Sequence, residues 1–168
     1  MNDLSRENLL LKITNFLDEI GIKYRFTAIN EDTFLPGLKI DKGELLIDEN
    51  KLKYVGDILH EAGHIALLPP EIRNDLSGSL ENQPEPEGTE MAVIAWTYAA
   101  CKAIPIPTAI VIHNEGYKGT AESIIKNFDE GHYFGVPILQ WLGMTNEKKS
   151  ILKSDQLVFP KMSFWVRK

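Results

Sequence analysis

The sequence predicts an α+β fold in which a small antiparallel sheet packs on a mostly helical domain, with residues 1–168 forming one domain. Three observations carry this reading. Apolar residues recur at three- and four-residue steps near the N-terminus and again in the middle of the chain. Short alternating or turn-bounded apolar runs lie between those stretches. The chain has 168 residues, 43% of them hydrophobic, which is enough to bury a single core without disulfides or other staples.

Leu9, Leu10, Ile13, Phe16, Leu17 and Ile20 form one face of an amphipathic helix, with Ser5 placed to cap its start and Gly21 to end it. The period then changes to two. Ile22, Tyr24, Phe26 and Ala28 alternate with Lys23, Arg25 and Thr27, the pattern of a half-buried strand over 22–28. Pro36 and Gly37 introduce "GLKIDKGELLID", where Asp41-Lys42-Gly43 separates two apolar runs as a tight hairpin would.

The stretch "DILHEAGHIALLPP", residues 57–70, follows. It predicts a helix starting near Asn50 and ending before Pro69, because proline removes a backbone donor and disfavours helix in the residue before it. His60 and His64 are one turn apart on one face, so two imidazoles can converge on one divalent metal. Glu61, beside the first, is the candidate general base. The plainer alternative is a buried helix whose histidines bond to neighbouring carbonyls. Ile58, Leu59, Ile65, Leu67 and Leu68 weigh against it, since they draw the histidines and the glutamate into a core where a metal would offset the desolvation cost.

A third ligand must come from later in the chain, because Leu67 and Pro70 stand where an extended motif needs glycine and histidine. Residues 69–88 are rich in Pro, Ser, Asn and Glu and read as a long acidic loop, either a lid favouring basic substrates or a solvated connector. Beyond it, "TEMAVIAWTYAACKAI" resumes a helical pattern with Glu90 in its first turn. Glu90 completes the two-histidine, one-glutamate set of zinc peptidases, although an acid at a helix start is favourable without a metal. Glu81, Glu85, Glu87 and His113 are the alternatives. Manganese is the alternative to zinc.

In the same helix Trp96 and Cys101 read as core residues. "TAESIIKNFDEG" predicts a helix capped by Thr120, and "VPILQWLG" a short one with proline in its first turn. The tail "LVFPKMSFWVRK" alternates like a terminal strand or arm, in which Phe159, Phe164 and Trp165 would otherwise be exposed and invite a partner.

A net charge of −6 argues against direct binding to nucleic acid. The single cysteine excludes an internal disulfide. No basic leader or bilayer-length apolar run is evident, so the expectation is a soluble, cytoplasmic protein.

Three stretches resemble the ImmA/IrrE family of metallopeptidases, which are glutamate-ligand zincins. "LPGLKIDKGELLIDENKLKYVGDILHEAGH" is similar to the family's hairpin, helix and His-Glu-x-x-His arrangement. "GTEMAVIAWTYAACKAIPIP" resembles its second active-site helix, and "GHYFGVPILQWLGM" its later aromatic-Gly-Val segment. Residues 22–145 are covered. The chain departs from the pattern at Leu68, where many members have another histidine, and it lacks the helix-turn-helix some relatives append.

The resemblance implies a zincin-like fold and a zinc-dependent endopeptidase. His60, His64 and Glu90 would be its ligands, Glu61 its base, and a protein or peptide, such as a transcriptional repressor, its substrate. A donor to the reaction's oxyanion would come from His113, His132, Tyr98, Tyr117 or Tyr133, with His132 slightly preferred, and Asp57 could orient an imidazole. The alternative is a non-catalytic metal-binding regulatory or toxin-like module of the same fold.

Overall fold

The first helix, α1, spans Arg6–Ile20 in the computed structural model, which describes residues 5–77, 88–150 and 155–168. The Ser5 side chain accepts a hydrogen bond from Asn8 N at 3.3 Å, and Gly21 ends the helix in the left-handed region at φ 79°. Its buried face, Leu9, Ile13, Phe16 and Leu17, is the predicted one.

A sheet of β1 (Tyr24–Phe26), β2 (Leu38–Asp41) and β3 (Glu44–Ile47) follows, in the order β1-β3-β2. Lys42 and Gly43 join β2 to β3 with φ of 50° and 74°, the left-handed pair that a two-residue hairpin requires. The sheet is mixed, not antiparallel: β2 runs antiparallel to β3, and β1 runs parallel to it. Leu45, Leu46 and Ile47 are all buried, so β3 takes the centre. The hairpin fills one of its edges, and residues 27–37 give the chain length to reverse between β1 at the other edge and β2.

The strand expected over 22–28 shrinks to three residues. Ile22 and Ile29 are buried, whereas Phe26 is 47% exposed and Ala28 is exposed. As an edge strand β1 has a partner on one side only, and the Asp48 carboxylate draws the chain away by accepting from Ile29 N at 3.0 Å.

The motif helix, α2, spans Asp57–Leu67 and begins well after Asn50. Asp48 holds the intervening chain in turns: its carboxylate also accepts from Asn50 N, and its carbonyl accepts from Lys51 and Leu52. At the far end Leu68 is extended and Pro69–Pro70 stop the helix. The freed carbonyls find partners elsewhere. Arg73, from the four-residue α3 (Pro70–Arg73) inside the stretch expected to be loop, donates to Ile65 and Leu68 O, and Arg167 N donates to Ala66 O at 2.8 Å.

The next long helix, α4 (Thr89–Ala103), packs along α2. They approach closely at Gly63, where an added Cβ would lie 3.1 Å from both Trp96 and Val93 side chains. Trp96 and Cys101 are fully buried, as expected, and burial pushes the Cys101 thiol up to about 12.

Three short α-helices follow among the described residues: α5 (Asn114–Tyr117), α6 (Ala121–Asp129) and α7 (Val136–Trp141), the last with proline in its first turn. Thr120 precedes α6 without capping it, because its hydroxyl donates to Tyr117 O at 2.6 Å.

The tail is an arm, with no strand among residues 155–168, and its aromatic groups are not left exposed. Phe159 is buried beside Tyr98 and Tyr133, while Trp165 meets Phe16 and Trp96 edge-on at 5.0 and 5.7 Å. Trp96 Nε1 donates to Trp165 O at 2.9 Å, tying the arm to α4. No helix among the described residues is long and apolar enough to cross a membrane.

Two predictions follow from this packing. A Cβ on Gly56 would lie 2.0 Å from Ile110 O, so Gly56→Ala should lower stability by about 1–3 kcal/mol in urea unfolding. Backbone hydrogen bonds from Ile29, and then Asn50, outweigh burial and hold the Asp48 carboxyl below its usual range. A depressed carboxylate stabilises the fold above its unfolded pKa, and that contribution is lost as pH falls. Asp48→Asn should therefore reduce stability near neutrality and flatten its decline into acid, as read by unfolding midpoints across pH.

Candidate metal centre

Helix periodicity and the α2–α4 crossing together build the site. On α2, one turn brings His60 Nε2 within 3.1 Å of His64 Nε2, with the rings edge-on at 77°. From the first turn of α4, Glu90 places Oε2 3.3 Å from His64 Nε2 and Oε1 3.8 Å from His60 Nε2. The two imidazoles are recessed, with side-chain exposures of 16% and 6%, whereas Glu90 is 52% exposed, so the cluster opens to solvent on the α4 side.

These residues suit a metal ion. Donors about 2.0–2.1 Å from a tetrahedral zinc lie about 3.3–3.4 Å from one another. The two separations at His64, 3.1 and 3.3 Å, are close to this, and the three ligand atoms together lie within 4.8 Å of one another. Two imidazole nitrogens and one carboxylate form a borderline donor set with room for a fourth, external ligand, as catalytic zinc sites have. Among the described residues, His60, His64 and Glu90 are the one group of three His, Cys, Asp or Glu side chains whose ligand atoms converge in this way. Partial burial acts to raise the Glu90 carboxyl, but the hydrogen bond with His64 and the charges of both imidazoles outweigh it and hold the carboxyl below its usual range.

Glu61 follows His60 directly on α2 and is half-buried. Of the alternative third ligands, Glu81, Glu85 and Glu87 lie outside the described residues. His113 turns its Nε2 to Asp57 Oδ1 at 2.8 Å and is thereby engaged away from the cluster. Its Nδ1 accepts from Gly116 N at 3.2 Å, so the proton sits on Nε2 and is donated to Asp57. Asp57 thus orients an imidazole, that of His113 rather than either in the motif. It is buried, and desolvation raises its carboxyl against the opposing effect of His113. Tyr54 stacks on the His113 ring, with centroids 4.1 Å apart.

The candidate oxyanion donors separate in space. His132 is 73% exposed, with Nδ1 3.6 Å from Glu130. Tyr98 donates to Asp129 at 2.9 Å and packs with Phe128, Phe159 and Tyr133 in an aromatic cluster. Tyr117 alone of these five residues bonds to the histidine pair: its hydroxyl is 3.1 Å from His60 Nδ1. Burial first, then the negative charges of Glu90 and Asp57, push that hydroxyl well above its usual range, so it stays protonated. The contact between Tyr117 and His60 spans 57 positions and had no signal in residue spacing, since α5 is too short to show a period.

No protein-family model, curated protein or solved structure matches the chain.

If the cluster holds zinc, Glu90→Ala and His64→Ala should each weaken zinc binding at least about 100-fold while Tyr98→Phe leaves it unchanged, as measured by chelator competition. Stoichiometric, tight zinc in His64→Ala would remove that residue from the ligand set.

Proposed function

We propose that the protein is a zinc-dependent endopeptidase of zincin-like fold that hydrolyses a peptide bond in a protein substrate. The observation that carries this reading is the convergence of His60, His64 and Glu90, whose ligand atoms lie within 4.8 Å of one another, with Glu61 next to the first histidine on the same helix. The similarity of residues 22–145 to the ImmA/IrrE metallopeptidases supports the same reading, and with it a repressor-like protein as substrate.

His60 and His64 would hold the metal through Nε2, and Glu90 through its carboxylate. When bound, zinc supplies a Lewis acid and lowers the pKa of a water molecule to about 7. The chain's own part in the chemistry falls to Glu61. Its carboxylate takes the proton of the attacking water and returns it to the amine nitrogen of the departing peptide. The open side of the site, at half-exposed Glu90, is where an extended chain can approach.

A structural zinc site would have a closed shell, usually with cysteine ligands. The one cysteine here, Cys101, is fully buried inside α4, which favours the catalytic reading over the non-catalytic module. Glu61→Gln is expected to retain about one zinc per chain by elemental analysis and to lose at least about 100-fold in peptide-bond hydrolysis. Undiminished hydrolysis by that variant would overturn the mechanism, and wild-type protein without zinc would overturn the metal assignment.

A further inference from the structure

We propose that Tyr117 is the positioning residue of His60, and that the Asp57–His113 pair sets where its hydroxyl lies by capping the short helix that carries it. This rests on the metal reading above. It concerns groups that bind nothing themselves but decide which nitrogen of His60 faces the cluster.

An imidazole that presents Nε2 to a metal must carry its proton on Nδ1 and be held against rotation about its side-chain bonds. For His60, Nε2 faces His64 and Glu90, and Nδ1 faces the Tyr117 oxygen at 3.1 Å. The tyrosine ring stands edge-on to the imidazole, with an interplanar angle of 83°. With Nε2 given to a metal, the imidazole N–H would donate to the phenol oxygen, a neutral acceptor that orients the ring without adding negative charge to a site that already has Glu90.

Tyr117 reaches this position through α5, which is held at both ends. At its start, His113 accepts from Gly116 N through Nδ1 and from Tyr117 N through its carbonyl at 3.1 Å. At its end, Thr120 donates to Tyr117 O. A helix of four residues has little stability of its own, so these external bonds fix it. The His113 side chain is in turn anchored to Asp57, in the first turn of α2, and covered by Tyr54. A closed path results: α2 at Asp57, His113, α5, Tyr117, and back to α2 at His60. Both ends lie on one rigid helix three residues apart, so the path sets the His60 ring relative to its own backbone.

The test uses zinc alone as probe. Tyr117→Phe keeps the ring and removes the oxygen, and should weaken zinc binding about tenfold with little change in the melting temperature of the metal-free protein. In metal-free protein, ¹⁵N spectra should show His60 protonated at Nδ1 in the wild type and a mixture of tautomers in Tyr117→Phe. This second readout does not depend on a metal and would not respond to a merely structural role. His113→Ala should weaken zinc binding in the wild-type background but by less than about twofold on top of Tyr117→Phe, because both changes act through one bond. If His113→Ala fails to fold, Asp57→Asn replaces it in the same comparison.

Wild-type protein that binds no zinc defeats the functional proposal. Wild-type binding with Tyr117→Phe unchanged in both affinity and tautomer defeats this inference alone. Full additivity of the two substitutions removes His113 from the path and leaves Tyr117 in place.

Discussion

The close crossing of α2 and α4 at Gly63 is the constraint on which the rest of the structure depends. Without a side chain at that position, the Trp96 and Val93 side chains of α4 come to 3.1 Å from where a Cβ would stand. Glu90 lies one turn before Val93 on α4, and His60 and His64 lie either side of Gly63 on α2. The same contact that closes the core therefore brings the carboxylate to 3.3 Å from His64. A Cβ at this position would require the Trp96 and Val93 side chains to give by a few tenths of an ångström, in the contact that sets how near α4 lies to the histidines.

The ends of α2 carry a second constraint. A helix with two recessed imidazoles cannot be left to slide, and each of its termini is tied to a different part of the chain. The first turn is held by Asp57 to His113 and by the tight seat of Gly56 against Ile110. The last turn is held by Arg73 and by the arm through Arg167 N, which together take up carbonyls that the Pro69–Pro70 stop leaves without intrahelical donors. The C-terminal arm adds edge-on contacts of Trp165 with Phe16 and Trp96, about 0.5–1.5 kcal/mol each beyond area burial. It fastens the motif helix to α1 and α4 at once.

Much of this was legible in residue order. The α1 face, its Ser5 and Gly21 caps, the Lys42-Gly43 turn, the bounds of α4 and the proline start of α7 all follow from local chemistry, and the structure has each of them. The expectations that failed did so where a polar group or a burial demand competed with the period. The start near Asn50 gave way to side-chain and carbonyl bonds from Asp48, and the strand over 22–28 was cut short by the same residue. The antiparallel sheet became mixed because burial of β3 chose the central strand. Of the two readings of the tail, strand or arm, aromatic packing on distant helices selected the arm. In the sheet and at β1 a partner remote in sequence outweighed the local pattern, whereas at Asn50 a competing local set of bonds from Asp48, two to four residues away, did so.

The sequence by itself determined the α+β class, the helical one-turn spacing of His60 and His64, and the place of Glu61 beside them, because these depend on periods and neighbours along one segment. It could nominate Glu90 as a third donor but not bring it to the histidines. That approach, the turning of Asp57 toward His113, and the setting of Tyr117 against His60 were decided by the tertiary structure alone. They depend on how closely two helices can cross and on which buried polar groups then find each other, quantities that no local stretch of the chain contains.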